Sequence, residues 1–498
     1  MERRRIAIAI LALGGQGGGV LADWILRLAE HNGWRAQGTS VPGVAQRTGS
    51  TVYYIEMVPD DGTDPVLALM PMPGDVDIVI ASELMEAGRA ILRGFVTRDR
   101  TTLIGSTHRI YAISEKTAMG DGIAASDRVL AAAGERAKRF IGFDMGAAAE
   151  QAGSVISAIL FGALGGSGAL PFPRAAFETA IEKSGIAVGA NLRGFESGYA
   201  AAASGAMARP VEQEAPLPQP STAAGERLAA RIRAILPLPA QANALHGAAR
   251  LADYQDPSYA DLYLDRLETL ARLDDGAQDY ALSSEAARHL ALWMSYEDTI
   301  RIADLKTRGK RMARVRGEVR AEPDQLLGVT EFMHPRLREI CEVMPAAIGR
   351  RLLASRPLNR LLAPLFANGR RVETTRIGWF LLLRFFAGLR RFRPLSLRYA
   401  EEQKRITAWL DLIGLAARRD MDLAIEIVRC QTLIKGYGDT FDRGLRNFLT
   451  LTNLAPGLAA RQLCELRRAA LADDNGAALA AAVSALNQHR VQIAKPAS

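Results

Sequence analysis

Two neighbouring stretches near the N-terminus carry residue types that could do chemistry. The first is Gly14-Gly15-Gln16-Gly17-Gly18-Gly19, between the apolar run Ile6–Leu13 and a segment in which Val20, Trp24 and Leu28 recur at helical spacing. Glycines there let the backbone turn sharply and lie open. The free N–H groups of the following helical turn favour phosphate or another anion. The second stretch is Gln46-Arg47-Thr48-Gly49, in a loop that also holds Pro42 and Gly43. A loop arginine grips a carboxylate or phosphate through two parallel hydrogen bonds, and Gln46 adds amide donors. Each stretch has a plainer reading as well: glycines that let a helix pack closely on a sheet, and a solvated arginine.

Known phosphate-binding patterns restrict the choice. A dinucleotide fingerprint places an acid about 20 residues after the glycines, at the end of the second strand. The register Ala12, Gly14, Gly17 fits the glycine half, but Gln37-Gly38-Thr39-Ser40 contains no acid. No Lys-Ser or Lys-Thr follows the glycines, so the Walker pattern is absent. The chain has three cysteines, Cys341, Cys430 and Cys464, too few and too scattered for a four-thiolate cluster or zinc site. Its six histidines do not cluster, and Gly120-Asp121-Gly122 lacks the Asn–Asn that would follow in a thiamine diphosphate and Mg²⁺ site. Metal: none is expected on this chain.

The elements that must position these loops come next. Ile6–Leu13, Trp34–Ser40, Ser50–Val58, Asp75–Ser82, Thr101–Gly105 and Phe140–Phe143 read as strands, with helices between several of them. That alternation predicts a Rossmann-like α/β domain over residues 1–205 with a mostly parallel sheet. Pro210, Pro216, Pro218 and Pro220 break residues 206–225, which read as a linker. Residues 226–498 read as a mostly α-helical domain, with helices over Arg227–Leu236, Tyr259–Leu273, Ser284–Lys306, Leu397–Leu415 and Met421–Gly436.

Three features of the helical half stand out. Ser295–Lys306 is crowded with charge, and Glu297 and Arg301 are spaced for an i,i+4 ion pair. Lys435-Gly436-Tyr437-Gly438-Asp439-Thr440 reads as a helix end capped by Gly436, with a small-molecule site on Lys435, Tyr437 and Asp439 as the alternative. Residues 350–405 hold fourteen Arg or Lys against three Asp or Glu, more than the whole chain's net charge of +8. Trp379, Phe380, Phe385, Phe386 and Phe392 are interleaved, and the expectation is a helix pair with its apolar face in the core. Nucleic-acid and membrane partners are not expected. The longest later apolar run, Ile377–Leu389, is broken by Arg384 and falls short of the about 20 residues a bilayer needs. With no signal-peptide pattern, the expectation is a cytoplasmic protein.

Leu13–Gly17, Gly38–Ser50 and Ser154–Pro173 together resemble the gamma-type domain of 2-oxoacid:ferredoxin oxidoreductases over about residues 5–205. Within that family the similarity is greatest to the beta subunit of indolepyruvate oxidoreductases. Residues 226–498 resemble the helical extension of its long bacterial form. Ala12 stands where the family has glycine. The resemblance implies a subunit of an enzyme that converts an arylpyruvate or other 2-oxoacid and coenzyme A to an acyl-CoA and CO₂. Electrons would pass to ferredoxin. Thiamine diphosphate, Mg²⁺ and the iron–sulfur clusters would sit on an alpha-type partner subunit, and none would be bound by this chain alone. It further implies that Gly14, Gly15, Gln16 and Gly17, with Gln46, Arg47 and Gly49, face the partner's active-site entrance as a substrate, coenzyme A or interface loop. No catalytic residue is assigned to this chain. The reading from another class is a stand-alone nucleotide-binding or regulatory protein with a helical interaction domain.

Overall fold

The computed structural model describes residues 5–41, 50–111, 125–205, 216–319, 321–362 except 323 and 335, 369–436, 438–473 and 475–494, together with 115, 122, 123 and 364. The chain divides into two compact units, Met1–Glu214 and Ala215–Ser498.

In the N-terminal unit the first strand, β1 (Ile6–Leu13), is central to a six-stranded sheet. Its alternate residues serve two cores. Ile6, Ile8 and Ile10 face one layer with Leu21, Trp24 and Ile25 of helix α1 (Gly18–His31). The smaller Ala7 and Ala9, with Leu11, face the other layer with Ala87 and Ala90 of helix α2 (Leu84–Leu92). Burial on both faces explains the unbroken apolar run. The remaining strands are β2 (Trp34–Val41), β3 (Ser50–Pro59), β4 (Ile78–Ala81), β5 (Thr102–Ser106) and β6 (Arg139–Phe143), in the order β2-β3-β1-β4-β5-β6. Strands β1, β4, β5 and β6 are parallel neighbours, whereas β3 pairs antiparallel with both β1 and β2. The sheet is therefore mixed, with a parallel majority. Ala12 is inside β1, and the positive φ angles of the turn fall on Gly15 and Gly17, so alanine at 12 carries no backbone strain.

Helices α3 (Ser126–Arg136), α4 (Met145–Gln151), α5 (Ile156–Ser167), α6 (Arg174–Ser184) and α7 (Val188–Ala203) complete the unit. Among the described residues no single helix is long and apolar enough to cross a membrane. α4 and α5 reach that length only as a pair bent by 111°.

The C-terminal unit begins its helices at Ala223, inside the stretch read as linker, because the Thr222 side chain accepts a hydrogen bond from Gly225 N–H and caps the helix. Helices α8 (Ala223–Ile235), α9 (Leu238–Tyr254), α10 (Pro257–Ala271) and α11 (Ala281–Met294) share one core with residues of Leu397–Ala417, Met421–Arg429 and Gly438–Leu454. Two expected helices are shorter than the periodicity implies. The segment Ser284–Lys306 breaks after Met294, and Asp298 caps a new helix, α12 (Thr299–Thr307), by accepting from Arg301 N–H. The same carboxylate receives two hydrogen bonds from Arg393, which is 1% exposed, so the break fixes a buried ion pair. Arg301 pairs with Asp253 and Asp304 in place of Glu297. The helix starting at Met421 ends at Arg429 in a 3-10 turn, and the left-handed Gly436 follows.

Between these helices lie α13 (Gly309–Glu318), the two-stranded antiparallel sheet of β7 (Thr330–Met333) and β8 (Arg370–Glu373), α14 (Leu337–Val343), α15 (Ala346–Ala354), α16 (Arg356–Leu362) and α17 (Ile377–Gly388). In α17 only Leu383 and Ala387 are buried, while Ile377, Leu381 and Phe385 are well exposed. This corrects the expectation of a helix with its apolar face in the core. Periodicity marks an apolar face but does not say what covers it.

Candidate functional site

The glycine loop lies where the sheet changes helix layer. Helix α1 follows β1 on one face and α2 follows the adjacent, parallel β4 on the other. Chain segments diverge between the two strand ends, which is where open α/β sheets bind ligands.

The glycines are required for distinct reasons. Gly15 has φ +89° with open space around it, and Gly17 has φ +70°. A Cβ on Gly17 would stand 2.9 Å from Ser157 Oγ, and one on Gly18 would stand 2.7 Å from Ala12 Cβ and 2.6 Å from the Tyr53 ring. Close approach to Ser157 of α5 therefore accounts for Gly17, and close packing of α1 on the sheet for Gly18. Gly14 and Gly15 are exposed. The first-turn N–H groups of Gly18, Gly19 and Val20 have no intrahelical acceptor, and no acid occupies that turn.

Gln16 turns back across the gap between β1 and β4. Its Oε1 accepts from Ser82 Oγ–H and from Leu13 N–H at 3.4 Å, and Leu13 N–H also reaches Ser82 Oγ at 3.2 Å. The Gln16 carbonyl is thus a brace between the strand ends, leaving its Nε2 as the group free to donate outward. Gln46, Arg47 and Gly49 lie outside the described residues. Their flanks are fixed: the chain leaves β2 at Val41 and re-enters β3 at Ser50, whose register partner is Leu13, the last residue before the glycine loop.

Residues outside the glycine and Gln46–Gly49 motifs extend the same edge. After β4, Glu83 is 1% exposed, and burial raises its carboxyl above the ordinary range despite bonds from the Glu86 and Ile110 N–H groups. After β5, Ser106 Oγ accepts from Met145 N–H at 3.0 Å and lies 2.6 Å from His108 Nδ1. The Ser106 hydroxyl also reaches a second acceptor, Phe143 O, at 3.5 Å. Burial lowers the His108 pKa below its usual value, opposed by Asp144, so the ring is neutral at pH 7. The recoverable signal is position: Glu83, His108 and Asp144 each follow a buried parallel strand. Together the edge offers neutral donors, amides and an imidazole, suited to orienting an anionic or carbonyl ligand.

The three cysteines form no cluster site. Cys341 and Cys430 are buried in separate elements, and burial pushes the Cys430 thiol up to about 12, far from the thiolate a cluster needs. Among the described residues no group of three His, Cys, Asp or Glu is placed to hold a metal ion. Most of Gly120–Gly122 lies outside the described residues.

Residues 7–201 match the sequence profile of the family described as pyruvate ferredoxin/flavodoxin oxidoreductase. Residues 240–453 match a family of unknown function, DUF6537. No curated protein matches the chain. Among solved structures, a pyruvate oxidoreductase subunit from Thermotoga maritima is similar at 19% identity and TM-score 0.29, over 40% of this chain and 97% of that one. The gamma subunit of a keto/oxoacid ferredoxin oxidoreductase from Geobacter sulfurreducens is similar at 15% and 0.28, over 40% and 99%. A 2-oxoglutarate:ferredoxin oxidoreductase from Magnetococcus marinus is similar at 13% and 0.30, over 42% and 33%. The likeness rests on the sequence match: residues 7–201 are similar to the pyruvate ferredoxin/flavodoxin oxidoreductase family, and residues 240–453 of the same chain to a family of unknown function.

Proposed function

We propose that this chain is a non-cofactor subunit of a thiamine diphosphate-dependent 2-oxoacid:ferredoxin oxidoreductase, with an arylpyruvate such as indolepyruvate as its substrate class. The observation that carries the reading is the family match over residues 7–201, in a chain whose cysteines cannot hold a cluster. In the reaction the bond between the 2-oxo carbon and the carboxylate breaks to release CO₂. The acyl carbon forms a thioester with coenzyme A, and an electron pair leaves for ferredoxin. Thiamine diphosphate, when bound by an alpha-type partner, supplies the carbanion sink. The part of this chain is to complete the entrance: the α1 N–H groups, Gln16 Nε2 and Arg47 hold the substrate carboxylate or the coenzyme A phosphates. Such a complex works in the cytoplasm.

The test is Arg47→Ala in the complex reconstituted with its cofactor-bearing partner. KM for the 2-oxoacid or for coenzyme A should rise about tenfold, the worth of one charge-assisted contact. Turnover and both KM values unchanged would remove Arg47 from the reading. A chain that binds a nucleotide and no such partner would replace it with the stand-alone alternative.

A further inference from the structure

Two parts of the C-terminal unit that stand apart in sequence, residues of Glu297–Lys306 and the glycines Gly436 and Gly438, come together at one cavity. With the β7–β8 sheet, α14 and one side of α17 they enclose about 630 Å³. That volume is within the roughly 300–1,000 Å³ of small-molecule sites, which are mostly apolar with a few placed polar groups. Ile302, Met333, Leu383, Phe386 and Phe441 supply apolar wall.

Arg398 also lines the cavity and is 8% exposed. Its guanidinium carbon lies 4.1 Å from the Phe441 ring centroid and 5.6 Å from that of Tyr296. Nη1 donates to Glu342 at 3.0 Å and Nε lies 2.8 Å from a Glu402 oxygen. Among the described residues Nη2 has no hydrogen-bond partner. Neighbouring cations are spent on acids: Lys306 on Glu331 at 2.7 Å, and Arg336 on Asp439 at 2.8 and 2.7 Å. The lining holds six Asp or Glu and six Arg or Lys, so it selects for no net charge. Unlike Nε, Nη2 is not fully buried, and a ligand carbonyl at the cavity wall can accept a charge-assisted hydrogen bond from it.

We infer that this cavity binds a neutral organic molecule with a ring-sized apolar body and one carbonyl acceptor, the acceptor bonding Arg398 Nη2. The probe is prodan, a neutral naphthyl ketone whose emission moves to the blue when it leaves water, titrated into the full chain. One saturable site is expected, from which 2-acetylnaphthalene displaces prodan about tenfold better than 2-ethylnaphthalene, which lacks the acceptor. Arg398→Lys should remove that tenfold preference. Because Arg398 belongs to a buried ion-pair network, a second variant, Met333→Trp, fills the cavity from its half-buried wall and should abolish the site while circular dichroism is unchanged. Binding that does not saturate or survives Met333→Trp overturns the inference. So does equal displacement by ketone and hydrocarbon, or stronger displacement by naphthalene-2-carboxylate.

Discussion

The crossing of α5 and α7 offers a sharp test of the packing that holds the N-terminal unit together. A Cβ built on Gly198 would stand 2.1 Å from Ile159 O, one on Gly162 2.1 Å from Phe195 O, and one on Gly166 2.3 Å from Tyr199 O. These neighbours are backbone atoms and cannot rotate away. Gly198→Ala must therefore part the helices by roughly 1 Å, loosening dispersion contacts along the interface. Phe161, Phe177 and Phe195, whose ring centroids lie 5.0 to 6.0 Å apart, sit on that interface. Overpacking of this kind costs about 1–3 kcal/mol, and contact with rigid backbone puts it at or above the upper end. Alanine regains up to about 1 kcal/mol of helix propensity, leaving a net loss of about 2 kcal/mol. Gly189→Ala in the same helix is the control: it is exposed, and its Cβ would meet only Arg193 Nη1 at 3.9 Å. It should be neutral or stabilise by about 0.5 kcal/mol. Hydrogen exchange of peptides from Val188–Ala203 across a urea series on the full chain reads the two midpoints. They should differ by about 1 M or more, with Gly198→Ala the weaker. Coincident midpoints would refute the close crossing.

Other substitutions test other parts of the account. Gly15→Ala should cost about 1 kcal/mol from the left-handed backbone alone, and Gly17→Ala about 1 kcal/mol more. Adding Ser157→Ala should restore part of the loss at Gly17 and none at Gly15, with thermal melting as the readout. Arg393→Met leaves Asp298 buried without its partner and should cost about 3–5 kcal/mol in urea unfolding. A loss under about 1 kcal/mol would mean that the pair is not buried in solution. A hydrogen bond from His289, with the Arg429 charge, holds the Glu285 carboxyl at about 2, against 4.5 ordinarily. Because the folded-state value is depressed, this stabilisation is complete above pH 4.5 and fades as pH falls toward 2. Its ceiling is about 3 kcal/mol, reduced to about 1 kcal/mol by solvent at a side chain 25% exposed. The urea-midpoint gap between wild type and Glu285→Gln should be constant from pH 7 to 5, fall to about half by pH 3 and close only below pH 2; a gap that widens in acid would contradict the sign.

Ile6–Leu13 was readable as a central strand because burial on both faces removes polar positions, and the glycines after it mark a turn by their backbone freedom. The antiparallel pairing of β3 was not stated by strand propensity, which carries no direction. It follows from the length of the connection, since the eight residues 42–49 are too few for the crossover a parallel return needs. The break after Met294 was hidden because Asp298 sits within a helical period, and its role as a cap depends on Arg393, nearly a hundred residues away. At the site, the glycine loop was visible as a motif. Glu83 and His108 were not, because single polar residues after strands acquire meaning only when parallel pairing brings the strand ends to one edge. Likewise α17 has the apolar pattern of a core helix, and only packing reveals that most of its surface is uncovered.

The most direct measurement is ferredoxin reduction by the cofactor-bearing partner with an arylpyruvate and coenzyme A, assayed with and without this chain. The account predicts that the two proteins copurify, that turnover requires the chain, and that acyl-CoA forms in step with reduced ferredoxin. Full turnover by the partner alone, or a chain that isolates as a colourless monomer binding a nucleotide, would contradict it.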